Sequence, residues 1–224
     1  MGDARTVAAS VIITNCLYEL RDPDGTNYNK DGAYAELLGY INRCLEVLYE
    51  ILVYDDSELT RTGTGDIATV DGTQSYDMSD NDMGDLWIPH RVWVDEYPPM
   101  KMCEEEDLYG GINAEESENT AREQPDQYCI IGDYIWFKTV PDDAYTVYFR
   151  YYPNFTPLTL VTESMPYKNI FNNEVIEGVK VLAKHRNEIG IQVDAILKDI
   201  FNEKAMRIMR KRRTKSVRIF PGRR

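Results

Sequence analysis

Residues 128–153, YCIIGDYIWFKTVPDDAYTVYFRYYP, restrict the fold more than any other stretch. Tyr145, Val147, Phe149 and Tyr151 alternate with Thr146, Tyr148, Arg150 and Tyr152, the period-two pattern of a half-buried strand. Residues 128–137 are apolar and aromatic around Gly132-Asp133, a pair suited to a tight hairpin turn. Pro141-Asp142-Asp143 reads as a second turn, because proline presets φ at the first corner and each aspartate can bond the backbone just downstream. β-branched and aromatic side chains suit a pleated surface. The whole stretch therefore reads as a hairpin at the heart of a β module.

The flanks have a different period. Residues 6–20 read as a first helix with Ile13, Cys16, Leu17 and Leu20 on one stripe, stopped by Arg21-Asp22-Pro23-Asp24-Gly25. Residues 31–54 read as a second, with Asp31 as N-cap and Leu37, Leu38, Ile41, Cys44, Leu45, Leu48, Ile51 and Leu52 along its apolar stripe. A short linker predicts that the two pair antiparallel. The run RTGTG at 61–65 reads as a break, and residues 67–70 and 76–78 as a short strand pair turning at Gly72. Residues 86–94 form a further strand in which Pro89 demands an edge or a bulge, and residues 100–102 a very short one.

Residues 104–127 lack periodicity and hold nine acidic residues against one arginine. They read as a long surface loop with one helical turn near its start, and a loop of that length is functional or mobile. Beyond the β module, Pro153, Pro157 and Pro166 space an extended linker. A third helix is predicted from a cap at Asn172 or Asn173 to about residue 187, with Val175, Val179, Leu182 and Ala183 inward, ending near Gly190. A fourth is predicted over 193–213, with Val193, Ile196, Leu197, Ile200, Phe201, Ile208 and Met209 inward. The fold class that follows is α+β: a bundle of about four helices with a β-strand module inserted between the second and third. The predicted divisions are a helical pair at 1–59, the β module at 60–157 with its acidic loop 104–127, a completing helical pair at 158–213, and a basic arm at 214–224.

Charge is divided along the chain. Ten of the 25 basic residues lie between Lys204 and Arg224, where there is no acidic residue; the first 203 residues carry the other 15 against all 38 acidic ones, a net charge of −23. The basic residues are Lys204, Arg207, Arg210, Lys211, Arg212, Arg213, Lys215, Arg218, Arg223 and Arg224. Such a tail suits an anionic surface. Three readings stay open: a solvated terminus, a nucleic-acid-binding module that neutralises phosphates, and docking on an acidic or strand-edged protein. Val217, Ile219 and Phe220, interleaved with arginine, favour the last.

Catalytic signatures are missing. There is no G-x-S-x-G, P-loop or G-x-G-x-x-G. Asp77, Asp80, Asp82 and Asp85 crowd together, but counting from Asp80 puts Gly84 fifth and Arg91 twelfth, so the calcium-loop pattern fails. His90 and His185 have no partner at ligand spacing, and the four cysteines, Cys16, Cys44, Cys103 and Cys129, form no C-x-x-C. No cofactor, no metal and no catalysis are expected. Nor is a membrane span or a secretory signal, and unpaired cysteines fit a reducing compartment.

Gly72-Thr73 with Tyr76, then Tyr128, Ile130, Gly132 and Ile135, then Pro141-Asp142, Tyr145-Thr146-Val147 and Tyr151-Tyr152 fill the places of three strand motifs. In those places the chain resembles the β insertion of head-to-tail adaptor (connector) proteins of tailed bacteriophages. The helical pairs before and after the insertion occur in the same order. Two departures are that Thr139 stands where the P-x-P-D motif has its first proline, and that the acidic loop is longer. The resemblance implies a non-enzymatic structural protein of the virion head–tail junction, made in the bacterial host cytoplasm. It implies a homo-oligomeric ring, commonly a dodecamer, that docks on the portal protein, extends the DNA channel and offers a platform to a downstream tail protein. Genomic DNA would pass through without specific binding. The ten basic residues with Val217, Ile219 and Phe220 would bind the portal or a partner. Glu104, Glu105, Glu106, Asp107 and Tyr109 would face a neighbouring subunit or the tail.

Overall fold

The computed structural model describes residues 7–28, 34–55, 59–60, 63–95, 97–109, 122–167, 170–185 and 191–216. The fold is α+β, and the chain divides into two compact units, Met1–Leu59 with Phe155–Arg224, and Thr60–Asn154.

The first unit is helical. Helix α1 (Ala9–Glu19) buries Ala9, Ile12, Ile13, Cys16 and Leu17. No side chain caps its start. The N–H groups of Ala9 and Ser10 instead donate to the carbonyls of Glu163 (2.9 Å) and Val161 (2.8 Å), so a distant extended segment satisfies donors that a helix start leaves open. The predicted stop after Leu20 is present, with Arg21 (φ 58°) and Gly25 (φ 61°) in the left-handed region. Asp22 is buried and its carboxylate accepts four bonds: from the Thr26 N–H (3.0 Å) and hydroxyl (2.8 Å), the Asn27 N–H (2.9 Å) and the Tyr28 N–H (3.2 Å).

Helix α2 (Ala35–Tyr54) is the centre of this unit. The eight predicted stripe residues are buried, and so are Val47, Tyr49 and Val53, because α2 packs chiefly against two helices from the far end of the chain, which widens its buried face beyond the stripe. Asn42, expected off the stripe, brackets the Leu158 backbone: its Nδ2 donates to the carbonyl and its Oδ1 accepts from the N–H, both at 2.9 Å. Asp31, the predicted cap, lies outside the described residues; α2 begins after Tyr34, in the left-handed region at φ 58°.

The two returning helices complete the packing. The first of these is α4 (Asn172–Lys184), numbered after the short α3 (Glu105–Tyr109) of the second unit; Phe171, not either asparagine, occupies its N-cap position, and no side chain caps it. Its start follows a turn in which the Ile170 N–H bonds the Tyr167 carbonyl, and Phe171 is buried. Gly178 lies where α2, α4 and α5 meet. Helix α5 (Ile191–Ser216) runs three residues beyond the predicted end at 213, so the start of the predicted arm is helical. Leu197, Phe201 and Ala205 form its buried face. Ile196, expected inward, is 41% exposed, since it sits one position round the helix from that face. Ile208 and Met209 have side chains outside the described residues.

The second unit holds two sheets. One orders β1 (Gly63–Ala68), β7 (Thr146–Pro153) and β3 (Leu86–Val94), all antiparallel. The other orders β2 (Ser75–Asp77), β6 (Tyr134–Phe137), β5 (Gln127–Ile131) and β4 (Lys101–Met102), with β4 parallel to β5. Ile67, Met83, Val92, Ile135, Phe137, Val147 and Phe149 make one core. The β5–β6 hairpin turns at Gly132-Asp133 as expected, with Gly132 at φ 59°. Pro89 lies on an edge strand beside two register shifts, as its chemistry requires.

Three expectations are corrected here. The run at 61–65 does not simply break the chain; its glycines open β1, and a Cβ on Gly63 or Gly65 would meet the Tyr151 ring at 2.3 Å or Met83 at 2.4 Å. β1 and β2 do not pair with each other but belong to different sheets. Likewise residues 128–153 are not one hairpin: β6 pairs with β5, and β7 is the middle strand of the other sheet.

Candidate interaction surfaces

The last buried residue described on α5 is Ala205, and the helix continues for eleven more residues to Ser216. Along that extension the backbone carries Arg207, Arg210, Lys211, Arg212, Arg213 and Lys215. Cations near a helix C-terminus oppose the partial negative charge of its open carbonyls, so these residues favour the helix that carries them.

The predicted contact residues fall into three groups. Lys204 is built into the fold: its Nζ donates to both carboxylate oxygens of Glu174 on α4, at 2.6 and 2.7 Å. Arg207 is exposed and pairs with Glu203 one turn earlier. Arg210, Lys211, Arg212, Arg213 and Lys215 share the α5 extension, with side chains outside the described residues. Val217, Arg218, Ile219, Phe220, Arg223 and Arg224 lie beyond the described residues altogether.

The acidic candidates lie on one short element, α3 (Glu105–Tyr109), which packs on β5, except Glu104, which immediately precedes it. Buried Leu108 anchors it, while Glu104, Glu105, Glu106 and Asp107 are exposed. Tyr109 closes the helix, and residues 110–121 are outside the described set.

A surface that periodicity alone did not single out is the outer face of β1-β7-β3. Trp93 and Tyr148 are cross-strand partners with rings stacked at 5.6 Å, and the Arg91 guanidinium lies 5.2 Å from the Trp93 centroid. The Tyr148 hydroxyl donates to Asp95 at 3.2 Å, and that bond raises its pKa. Tyr151 points to the opposite, buried side and donates to Asp85 at 2.7 Å; burial first and Asp85 second push it up to about 12. These rings are thus engaged with the protein itself.

Asp77 is held below the usual carboxylate range, first by the Ser79 hydroxyl and then by the Ser79 N–H, so its carboxylate closes a local turn. Among the described residues no group of three or more His, Cys, Asp or Glu is placed to hold a metal ion, and no helix is long and apolar enough to cross a membrane. The four cysteines are unpaired.

Comparison with known proteins adds one finding: a family model described as SU10 adaptor protein matches residues 8–219, nearly the whole chain. No curated protein matches it.

Proposed function

The chain belongs to the SU10 adaptor protein family and is a structural adaptor of a bacteriophage; on that premise we propose that it forms a ring at the head–tail junction of the virion. The ring docks on the portal protein, extends the channel through which genomic DNA passes, and presents a platform to the downstream tail protein. The family match over 8–219 carries this reading. The division of charge supports it. A body with net charge −23 over its first 203 residues repels phosphates and lets DNA slide. The basic end supplies a grip, carried on α5, which runs to Ser216. α3 and the acidic segment that follows face the neighbouring subunit or the tail. The protein acts without catalysis.

The decisive comparison is between the full chain and one ending at Arg207, because Lys204 and Ala205 belong to the helical packing and have to be kept. Both are mixed with purified portal rings and the bound mass is measured. The full chain is expected to bind and the shortened one to lose binding while remaining folded. Equal binding by the two removes the C-terminal grip from the account. The rival reading, a nucleic-acid-binding module using the same tail, requires DNA affinity that falls with salt at a log–log slope of about −0.9 per phosphate contacted. A flat salt response excludes it.

A further inference from the structure

A sheet edge presents a row of unpaired N–H and C=O groups, and folded proteins blunt such edges with proline, bulges, charge or brevity. Three of the four edges in this unit are blunted. β3 has Pro89 and two register shifts, while β2 has three residues and β4 only two. β1 is different: it has six residues and no proline, and its register with β7 is unbroken from Gly63↔Tyr151 to Ala68↔Thr146.

The phase of that ladder is fixed by the Thr69 N–H, which donates to the Tyr145 carbonyl at 2.8 Å. Gly63, Gly65 and Ile67 therefore bond towards β7, and the N–H and C=O groups of Thr64, Asp66 and Ala68 point away from it. All three residues are exposed, and among the described residues no hydrogen bond outside the ladder engages their backbone.

One segment of the chain suits that edge. Val217-Arg218-Ile219-Phe220 directly follows α5, alternates β-forming types, and is closed by Pro221, which cannot donate to a ladder. We propose that residues 217–220 of a neighbouring copy add to the free edge of β1 as a fourth strand, parallel to it and with Arg218 beside Asp66, so that the Asp66 N–H meets the Val217 carbonyl and the Ile219 N–H meets the Asp66 carbonyl. This register sets Arg218 on the outer face, where Asp66 supplies the opposite charge. Val217 and Ile219 fall on the inner face, beside Ile67 and the places where Gly63 and Gly65 leave room for Tyr151 and Met83. This rests on the ring reading and deepens it, since each subunit's arm grips the next while the basic helix before it stays available to another partner.

The test follows amide hydrogen exchange in β1 for the full chain, the chain ending at Ser216, and full-length Ile219→Pro, which keeps every charge but spoils the ladder. At self-associating concentrations the amides of Asp66 and Ala68, the two that a four-residue strand in this register reaches, are expected to exchange at least about tenfold slower in the full chain than in either variant, with Gly65 and Ile67 alike in all three. Equal rates at the outward amides overturn the proposal. Protection that survives dilution to the monomer overturns the assignment to a neighbouring copy. A peptide of residues 214–224 added to the chain ending at Ser216 should restore the slow exchange, and its Ile219→Pro form should not; failure of the first peptide also counts against the pairing. Portal binding is read separately, so a chain that binds portal with fast outward amides discards only the added strand.

Discussion

At Gly178 the helical unit has no room for a methyl group. A Cβ there would lie 2.6 Å from Cys44 Sγ and 3.1 Å from Leu197 Cδ2. Alanine is intrinsically better than glycine in a helix interior by about 1 kcal/mol, but overpacking a tight core costs about 1–3 kcal/mol. Gly178→Ala is therefore expected to destabilise despite its propensity. The double variant with Cys44→Ala should recover part of the loss, and strict additivity in urea unfolding would contradict the shared space. Asp22 gives a second test. Burial alone would raise its pKa, but the Thr26 hydroxyl and the N–H groups of Asn27, Thr26 and Tyr28 outweigh it and hold the carboxyl below its ordinary 3.8. A depressed folded pKa stabilises in full above the unfolded value and is lost as pH falls through the folded one. The stability gap between the natural chain and Asp22→Asn should thus be wide at neutral pH and close in acid below about 4; a constant gap in urea midpoints would refute it. In the sequence Cys44 was legible as a small core residue and Asp22 only as one letter of a stop signal. What Asp22 binds is the path of the following loop, which no periodicity encodes.

Elements were legible where their own period or chemistry decides them. β3 falls on residues 86–94 because alternation marks its length and Pro89 its edge position. The partners of β1, β6 and β7 were not legible, since alternation says which face a side chain takes and nothing about which strand lies alongside. The same limit applies to Ile196, where a helical stripe read one residue too wide. On α5 the structure sets Lys204, paired with Glu174, apart from the basic residues further along, for which portal binding is proposed. Lys204→Ala is expected to weaken the helical unit by about 1 kcal/mol and to leave partner binding within about twofold. Arg210→Glu with Arg213→Glu should do the opposite, weakening portal binding by about tenfold or more at low salt with little change in unfolding midpoint. Calorimetry and a binding series on the same samples distinguish the two.

For the whole molecule, the α+β plan and the family were both within reach of the sequence, because strand motifs and helix order recur together over most of the chain. Assembly was not, since ring closure depends on an interface between copies that one chain does not contain. The mass of the purified protein, alone and with portal rings, tests it directly: an oligomer in one or both samples is expected, and a monomer in both would refute the ring.

The strap of residues 161–165 across the start of α1 also has a consequence for synthesis. The N-terminal helix finds its backbone partners only after more than a hundred intervening residues have left the ribosome, whereas Thr60–Asn154 holds all of its strands in one continuous run. The insertion can mature while the framework around it is still waiting for its second half. Nascent chains arrested once that run has cleared the exit tunnel should already yield a protease-resistant fragment of the β unit, with residues 9–54 still cleaved.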